Sequence, residues 1–97
     1  METKRADLSG HTILIVEDQP IPALNLQVAL EDAGAAAIVA RGPHEAMARL
    51  RQVDFSAALI DPRQRTLMRD LQQRSVLVLL KPATRWELLA RLATSSH

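Results

Sequence analysis

Charged side chains follow three apolar runs of the sequence, each at the point where the run ends. Glu17 and Asp18 follow one run, Asp61 follows a second, and Lys81 follows a third. Carboxylates that converge on one place repel each other, so such a cluster favours a bound cation. Mg²⁺ is the natural candidate, since it takes one or two carboxylates together with water and phosphate oxygens. A lysine ammonium is a compact charge suited to a phosphoryl oxygen, so the pattern indicates phosphate chemistry.

The apolar runs alternate with segments of helical periodicity, which predicts an α/β fold. Runs that are apolar on both faces are typical of central parallel strands, and strand–helix alternation predicts a parallel sheet with right-handed crossovers. Ligand sites in such sheets lie beyond the carboxyl ends of the strands, where the charged residues stand. The predicted strands span residues 12–16, 35–40, 55–60 and 76–80. The second strand is rich in alanine and is expected at an edge of the sheet.

Four helices are predicted between and after these strands. The first spans residues 23–33, the second opens at residues 42–43, the third spans residues 64–73, and the fourth begins at residue 84. The first has Pro22 in its first turn and Gly34 just beyond its end. The last begins with a capping box formed by Thr84 and Glu87. The apolar residues of the first helix that are expected to face the core are Leu24, Leu26, Val28 and Leu30.

Length and composition limit the class of protein. With 97 residues the chain has room for one domain, expected over residues 11–95 after a flexible tail at residues 1–10. The formal net charge of +1 argues against a dedicated nucleic-acid or membrane binder, and no apolar run approaches the roughly 20 residues of a membrane span. The chain has no cysteine and its polar N-terminus does not resemble a secretory signal, so a cytoplasmic protein is expected.

Three segments of the chain resemble the response-regulator receiver family. They are Ile-Leu-Ile-Val-Glu-Asp at residues 13–18, Ala-Ala-Leu-Ile-Asp at residues 57–61, and Leu-Lys-Pro at residues 80–82 followed by the helical segment 86–92. The resemblance covers residues 11–94 and implies a three-layer, flavodoxin-like (CheY-like) parallel sheet. It also implies a stand-alone receiver of two-component phosphorelay signalling. Such a domain is not an enzyme beyond its own phosphorylation and dephosphorylation.

The resemblance assigns roles to the residues at the strand ends. Asp61 is implied to be the phosphoacceptor, which takes a phosphoryl group from a histidine kinase or a phosphotransfer protein. Glu17, Asp18 and Asp61, with the backbone carbonyl of Arg63, are implied to hold Mg²⁺. Lys81 is implied to pair with the bound phosphoryl group.

The interval from Asp61 to Lys81 is 20 residues, which is short for this family. A parallel crossover needs about a dozen residues or more, so one helix and one strand fit there and a second β–α unit does not. We therefore expect a (βα)4 domain with strand order 2-1-3-4 in place of five strands. The phosphoryl-sensing Ser/Thr and the aromatic switch residue of the family have no counterpart, and Thr66 lies in the wrong element.

The shortened sequence leaves alternatives open. Arg63 or Arg65 could fold over the acidic cluster and replace the metal, although a solvated helix face is the plainer interpretation of these arginines. The domain could also be a degenerate receiver that acts as a phosphorylation-independent interaction module. The fourth strand could pair with the third, which brings Lys81 one strand spacing (about 4.8 Å) closer to Asp61. Alternatively, its open apolar edge between Val76 and Leu80 could pair with a second copy in a homodimer.

Overall fold

The computed structural model describes residues 8–81 and Arg91, which form strands alternating with helices. The elements in chain order are β1 (Thr12–Val16), α1 (Pro20–Asp32), β2 (Ala36–Ala40), α2 (Pro43–Leu50), β3 (Ala57–Ile60), α3 (Arg65–Gln73) and β4 (Leu77–Leu80). The four predicted strands and the first three predicted helices are thus present, with ends that shift by up to three residues. The predicted last helix, from Thr84 onward, lies outside the described residues.

The four strands form one parallel sheet in the order β2-β1-β3-β4. This is the order that the resemblance to receivers implies once the short interval between Asp61 and Lys81 removes one strand. That interval holds α3 and β4 only, and β4 lies directly beside β3, with Ile60 opposite Leu80. The prediction of a four-stranded sheet in place of five strands is therefore confirmed for the described residues.

Helices pack on both faces of the sheet and give it three layers. Alternate residues of a strand point to opposite faces, so Ile13 and Ile15 pack on the side of α1, while Leu14 and Val16 pack on the side of α2 and α3. The two core layers are aliphatic, with Phe55 in the second of them. No polar or charged side chain of the described residues is fully buried, so the charged groups are confined to the strand ends and the surface.

Helix α1 begins at Pro20, three residues earlier than predicted. Proline is well tolerated in a first helical turn, where backbone N–H groups lack helical partners. The predicted apolar face of α1 is wrong in part, because Leu24 and Val28 are exposed while Leu30 is 1% exposed. Ala23 and Leu30 lie seven residues apart, which is about two helical turns, and both face the sheet. Leu24 follows Ala23 directly, and the rotation of one residue about the helix axis turns it away from the sheet. Gly34 follows the helix with a φ of +101°, as predicted for a residue just beyond a helix end.

The chain entering β1 is packed against the core. Leu8 is fully buried, its N–H donates to the carbonyl oxygen of Ala33 at 2.8 Å, and its own carbonyl accepts from the N–H of His11 at 3.0 Å. The flexible tail expected over residues 1–10 therefore does not extend to Leu8, because an apolar side chain there covers the end of α1. Residues 1–7 lie outside the described part. Among the described residues, no helix is long and apolar enough to cross a membrane.

Candidate functional site

The carboxyl ends of β1, β3 and β4 meet at one edge of the sheet. The three strands are parallel neighbours, so the residues that follow them stand side by side. The N–H of Lys81 donates to the carbonyl oxygen of Ile60 at 2.9 Å, which continues the ladder one residue past β4. The N–H of Glu17 donates to the carbonyl oxygen of Ala40 at 2.9 Å and fixes the other side of the site. The backbone thus positions Glu17, Asp61 and Lys81 together, as the sequence predicted.

Lys81 pairs with Glu17 across the intervening strand. Its ammonium donates to Oε1 of Glu17 and to the carbonyl oxygen of Val16, both at 2.8 Å. Since β3 separates β4 from β1, the lysine side chain and its hydrogen bonds together reach across two strand spacings of about 4.8 Å each. The two side chains are 19% and 13% exposed, so the ion pair is largely shielded from water. The hydrogen bond from Lys81 lowers the pKa of Glu17, against the opposing effect of its partial burial.

Asp61 pairs with Arg63 within the loop that follows β3. Nε and Nη2 of the guanidinium donate to Oδ1 and Oδ2 of the carboxylate, both at 2.9 Å. The backbone N–H of Arg63 also donates to Oδ1, at 2.8 Å. Pro62 favours the turn that makes this possible, and the turn closes where the N–H of Gln64 donates to the carbonyl oxygen of Asp61 at 3.0 Å. Arg63 thus supplies three hydrogen-bond donors to the carboxylate of Asp61.

The Asp61–Arg63 ion pair is more exposed to water than the Lys81–Glu17 ion pair. The side chain of Arg63 is 89% exposed and that of Asp61 is 29% exposed. The guanidinium, and after it the backbone N–H of Arg63, hold the pKa of Asp61 well below its usual range. The carboxylate in turn raises the pKa of Arg63. Asp61 is therefore ionised at neutral pH, which a nucleophilic carboxylate requires.

The predicted Mg²⁺ ligands lie at the same strand ends, but they are not arranged to hold a metal ion. Within residues 8–81 and at Arg91, no group of three or more His, Cys, Asp or Glu side chains is placed to hold a metal ion. Glu17 faces Lys81, both oxygens of Asp61 face Arg63, and Asp18 is exposed. The carbonyl oxygen of Arg63 accepts from the N–H of Arg65 at 3.0 Å. As arranged, these residues do not fit Mg²⁺, which needs unpaired oxygens in near-octahedral geometry.

An open groove of about 1150 Å³ lies over the strand ends, bounded on its sides by α1 and by the loops after β2 and β3. Its charged lining residues are Glu17, Asp18, Asp61, Arg41, Arg63 and Lys81. Arg65, the other arginine predicted to compensate the acids, does not line it. The sequence interpretation missed Arg41, although the rule that found the other residues applies to it: Arg41 directly follows β2.

Comparison with solved structures supports the fold. The chain is similar to the crystal structure of a response regulator from Thermotoga maritima, with a TM-score of 0.70 and 22% sequence identity over 88% of this chain and 98% of that chain. At this level of identity the similarity establishes the fold, and the predicted flavodoxin-like (CheY-like) fold is confirmed. No family model matches the sequence, and no curated protein matches it.

Proposed function

We propose that this domain accepts a phosphoryl group on Asp61 and acts in two-component phosphorelay signalling. The observation that carries the proposal is the position of Asp61. It is an ionised carboxylate at the end of a central parallel strand, in an open groove and beside Lys81. Ligands of open α/β sheets bind at this end of the strands. The similarity to a response regulator supports the same interpretation at the level of the fold.

The hydrogen bonds of Asp61 identify the oxygen that can act as nucleophile. A carboxylate has about four acceptor positions on its two oxygens. Oδ1 accepts from both the backbone N–H and Nε of Arg63, whereas Oδ2 accepts from Nη2 alone. Oδ2 therefore keeps one lone-pair direction that no described residue engages, and this oxygen is the one we assign to attack.

The proposed donor is a phosphohistidine on a histidine kinase or phosphotransfer protein. Oδ2 attacks the phosphorus atom, the new O–P bond forms, and the P–N bond to the imidazole breaks. The electron pair of that bond returns to the imidazole nitrogen, and the product is an aspartyl phosphate. Asp61 is already ionised, so it has no proton to lose in this step.

Direct phosphorylation tests the proposal. The full chain is incubated with acetyl phosphate, a small-molecule phosphodonor, and its intact mass is recorded under mildly acidic quench. We expect the mass of one added phosphoryl group in the wild type and in Asp54→Asn, an exposed aspartate outside the groove. We expect none in Asp61→Asn. Equal labelling of the wild type and Asp61→Asn would refute the assignment of the acceptor.

One observation favours a second function, that of a phosphorylation-independent interaction module. Arg63 already takes three of the roughly four acceptor positions of Asp61, which disfavours attack unless the guanidinium moves. Beryllofluoride, a phosphoryl mimic, separates the two functions in amide chemical-shift spectra. Shifts near Asp61 and Lys81 that disappear in Asp61→Asn support the phosphoacceptor. Unchanged spectra, together with an absence of phosphorylation, support the module.

The partner of such a module is proposed to be a second copy of the chain. β4 is an edge strand of the described sheet, and Leu80 on it is 43% exposed. An apolar edge of this kind offers unpaired backbone groups to another strand. Sedimentation equilibrium of the wild type and of Leu80→Lys tests this: we expect a dimer that the lysine variant weakens. A wild type that stays monomeric at high concentration would refute the dimer.

A further inference from the structure

The guanidinium of Arg63 lies on the carboxylate where a metal ion would otherwise bind. Both oxygens of Asp61 are engaged side-on, by Nε and Nη2 at 2.9 Å. The contact is local, since the two residues are separated by Pro62 alone and their turn is closed by two backbone donors, those of Arg63 and Gln64. A turn that is already closed positions the arginine with little further ordering of the chain.

The charged side chains of the described groove residues balance one another without a bound ion. Among the residues that the structure describes, the lining includes three carboxylates and three cationic side chains, whose formal charges sum to zero. A pocket with an uncompensated cluster of carboxylates attracts a divalent cation. The described lining has no such excess of negative charge, and a divalent ion would bring two further positive charges beside Arg63 and Lys81.

Several of the oxygens that could coordinate Mg²⁺ already accept hydrogen bonds within the protein. Glu17 accepts from Lys81 through Oε1 and from the N–H of Gln19 through Oε2. The carbonyl oxygen of Arg63 accepts from Arg65. Mg²⁺ gives up its water reluctantly and demands octahedral geometry, so its coordination by Glu17 or by the Arg63 carbonyl would compete with these bonds.

We propose that Arg63 is the resident cation of this site and replaces a divalent metal in phosphoryl binding. The proposal rests on the proposed function for its substrate and on the described geometry for the cation. A guanidinium has five N–H donors in one plane, and Asp61 takes two of them. The other three are not engaged by any described residue, and they can receive the oxygens of a phosphoryl group bound at Oδ2. The site therefore binds a phosphoryl group or its mimic without Mg²⁺.

Metal binding is the first test, because its result does not depend on phosphorylation. Mn²⁺, a paramagnetic stand-in for Mg²⁺, is titrated into the isotope-labelled full chain while the amide signals are recorded. We expect no selective broadening around Asp61 at millimolar Mn²⁺ in the wild type. We expect broadening, at an affinity at least tenfold tighter, in Arg63→Met. Arg69→Met is the matched control, since Arg69 is an exposed arginine of α3 outside the groove, and it should behave as the wild type.

The outcomes of this titration are decisive in both directions. Broadening of the wild type at the same Mn²⁺ concentration as Arg63→Met would overturn the proposal. Absence of broadening in both proteins would also overturn it, because Arg63 would then not be what keeps the metal out. Amide spectra of each variant without metal establish that the fold is intact.

Phosphorylation without metal is the second test. The wild type is treated with acetyl phosphate in excess chelator, and its intact mass is compared with that of a sample containing Mg²⁺. We expect one added phosphoryl group in both conditions, with labelling in chelator at least tenfold slower in Arg63→Met. Labelling of the wild type that requires Mg²⁺ would overturn the role of Arg63 and leave Asp61 as the phosphoacceptor. Absence of labelling in every condition would refute the proposed function. The Mn²⁺ titration would still decide whether Arg63 keeps a divalent metal out of the site.

Discussion

Removal of the Lys81 ammonium should destabilise the fold much more than removal of the Arg63 guanidinium. The substitutions Lys81→Met and Arg63→Met each delete one cation from the same groove and keep an unbranched apolar stem. Lys81 loses two hydrogen bonds, and its partner Glu17 is 13% exposed. Arg63 is 89% exposed, so water replaces its contacts with Asp61 readily. The comparison tests whether shielding from water decides the contribution of an ion pair.

The expected loss in the free energy of unfolding for Lys81→Met is about 2–3 kcal/mol. A hydrogen bond to a charged group contributes about 1.5–3 kcal/mol, and loss of one partner of a fully buried ion pair costs about 3–5 kcal/mol. The Lys81–Glu17 pair belongs near the lower value, because both side chains keep some contact with water. For Arg63→Met we expect a change near the error of measurement, since exposed ion pairs contribute little.

Urea unfolding followed by circular dichroism measures both losses. The double variant Glu17→Gln/Lys81→Met completes a cycle with the two single variants and isolates the coupling. We expect the double variant to be more stable than the sum of the single losses predicts, by about 1–3 kcal/mol, because no charge is left unpaired. A coupling of zero, or an equal loss in Lys81→Met and Arg63→Met, would refute the reasoning.

Three further predictions follow from the described geometry. The pKa of Glu17 lies below its usual 4.5 in the folded state. The contribution of Glu17 to the free energy of unfolding should therefore hold steady above pH 4.5 and decline below it, because the unfolded chain takes up the proton first. Urea titrations at several pH values should show a flatter decline for Glu17→Gln, and an equal slope would contradict the assignment. On α1, Leu30→Ala should cost about 2–5 kcal/mol and Leu24→Gln less than about 0.5 kcal/mol, since the two leucines are 1% and 57% exposed; similar losses in urea unfolding would place α1 differently on the sheet. Ser75 has a φ of +60°, so Ser75→Gly should stabilise by up to about 1 kcal/mol through relief of left-handed strain, less the greater freedom of the unfolded chain. Ser75→Ala keeps the Cβ and serves as the control, and a Ser75→Gly variant that unfolds at lower urea than Ser75→Ala would argue against strain.

The sheet could be predicted from the sequence because its strands are short and continuously apolar. A run such as Ile-Leu-Ile-Val in β1 can be satisfied only where both faces of a strand are covered. The order of the strands came from the resemblance to receivers, whereas their number followed from chain length, since 20 residues between Asp61 and Lys81 leave room for one crossover helix. Both arguments depend on local pattern and connectivity, which the sequence contains in full.

The inward face of α1 could not be predicted, because apolar residues occur around most of the helix. Ile21, Leu24 and Val28 form one apolar stripe and are exposed, while Ala23 and Leu30 belong to the stripe that packs on the sheet. Hydrophobic periodicity identifies a buried face only when the opposite face is polar. The rotation of α1 is set by its contacts with β1 and β2, which no local pattern encodes.

Most of the charged residues of the groove could be predicted, with Arg63 over the acids as one alternative, whereas Arg41 and the pairing of Lys81 with Glu17 were missed. Charged residues after parallel strands necessarily meet at one edge, which is why Glu17, Asp61 and Lys81 were found. Which acid meets which base depends on the reach of each side chain. Lys81 reaches across β3 and pairs with Glu17, while the turn after β3 places Arg63 beside Asp61, so these two residues form the other ion pair. The resemblance to receivers favoured Lys81 as the phosphoryl partner, and it could not show that Lys81 would be engaged elsewhere.

We expect the Lys81–Glu17 pair to stabilise the sheet and the Asp61–Arg63 pair to respond to the proposed phosphorylation. Lys81 joins β4 to β1 across β3 through two short hydrogen bonds, so its movement disturbs the sheet. Arg63 is bonded to its neighbour in a loop and is nearly surrounded by water, so its movement disturbs little. A phosphoryl group on Oδ2 brings negative charge beside both cations, and the cation that can move at lower cost is Arg63. The response to phosphorylation should therefore begin in the loop between β3 and α3, where Arg63 would turn from the carboxylate toward the phosphoryl oxygens while the Lys81–Glu17 pair remains closed.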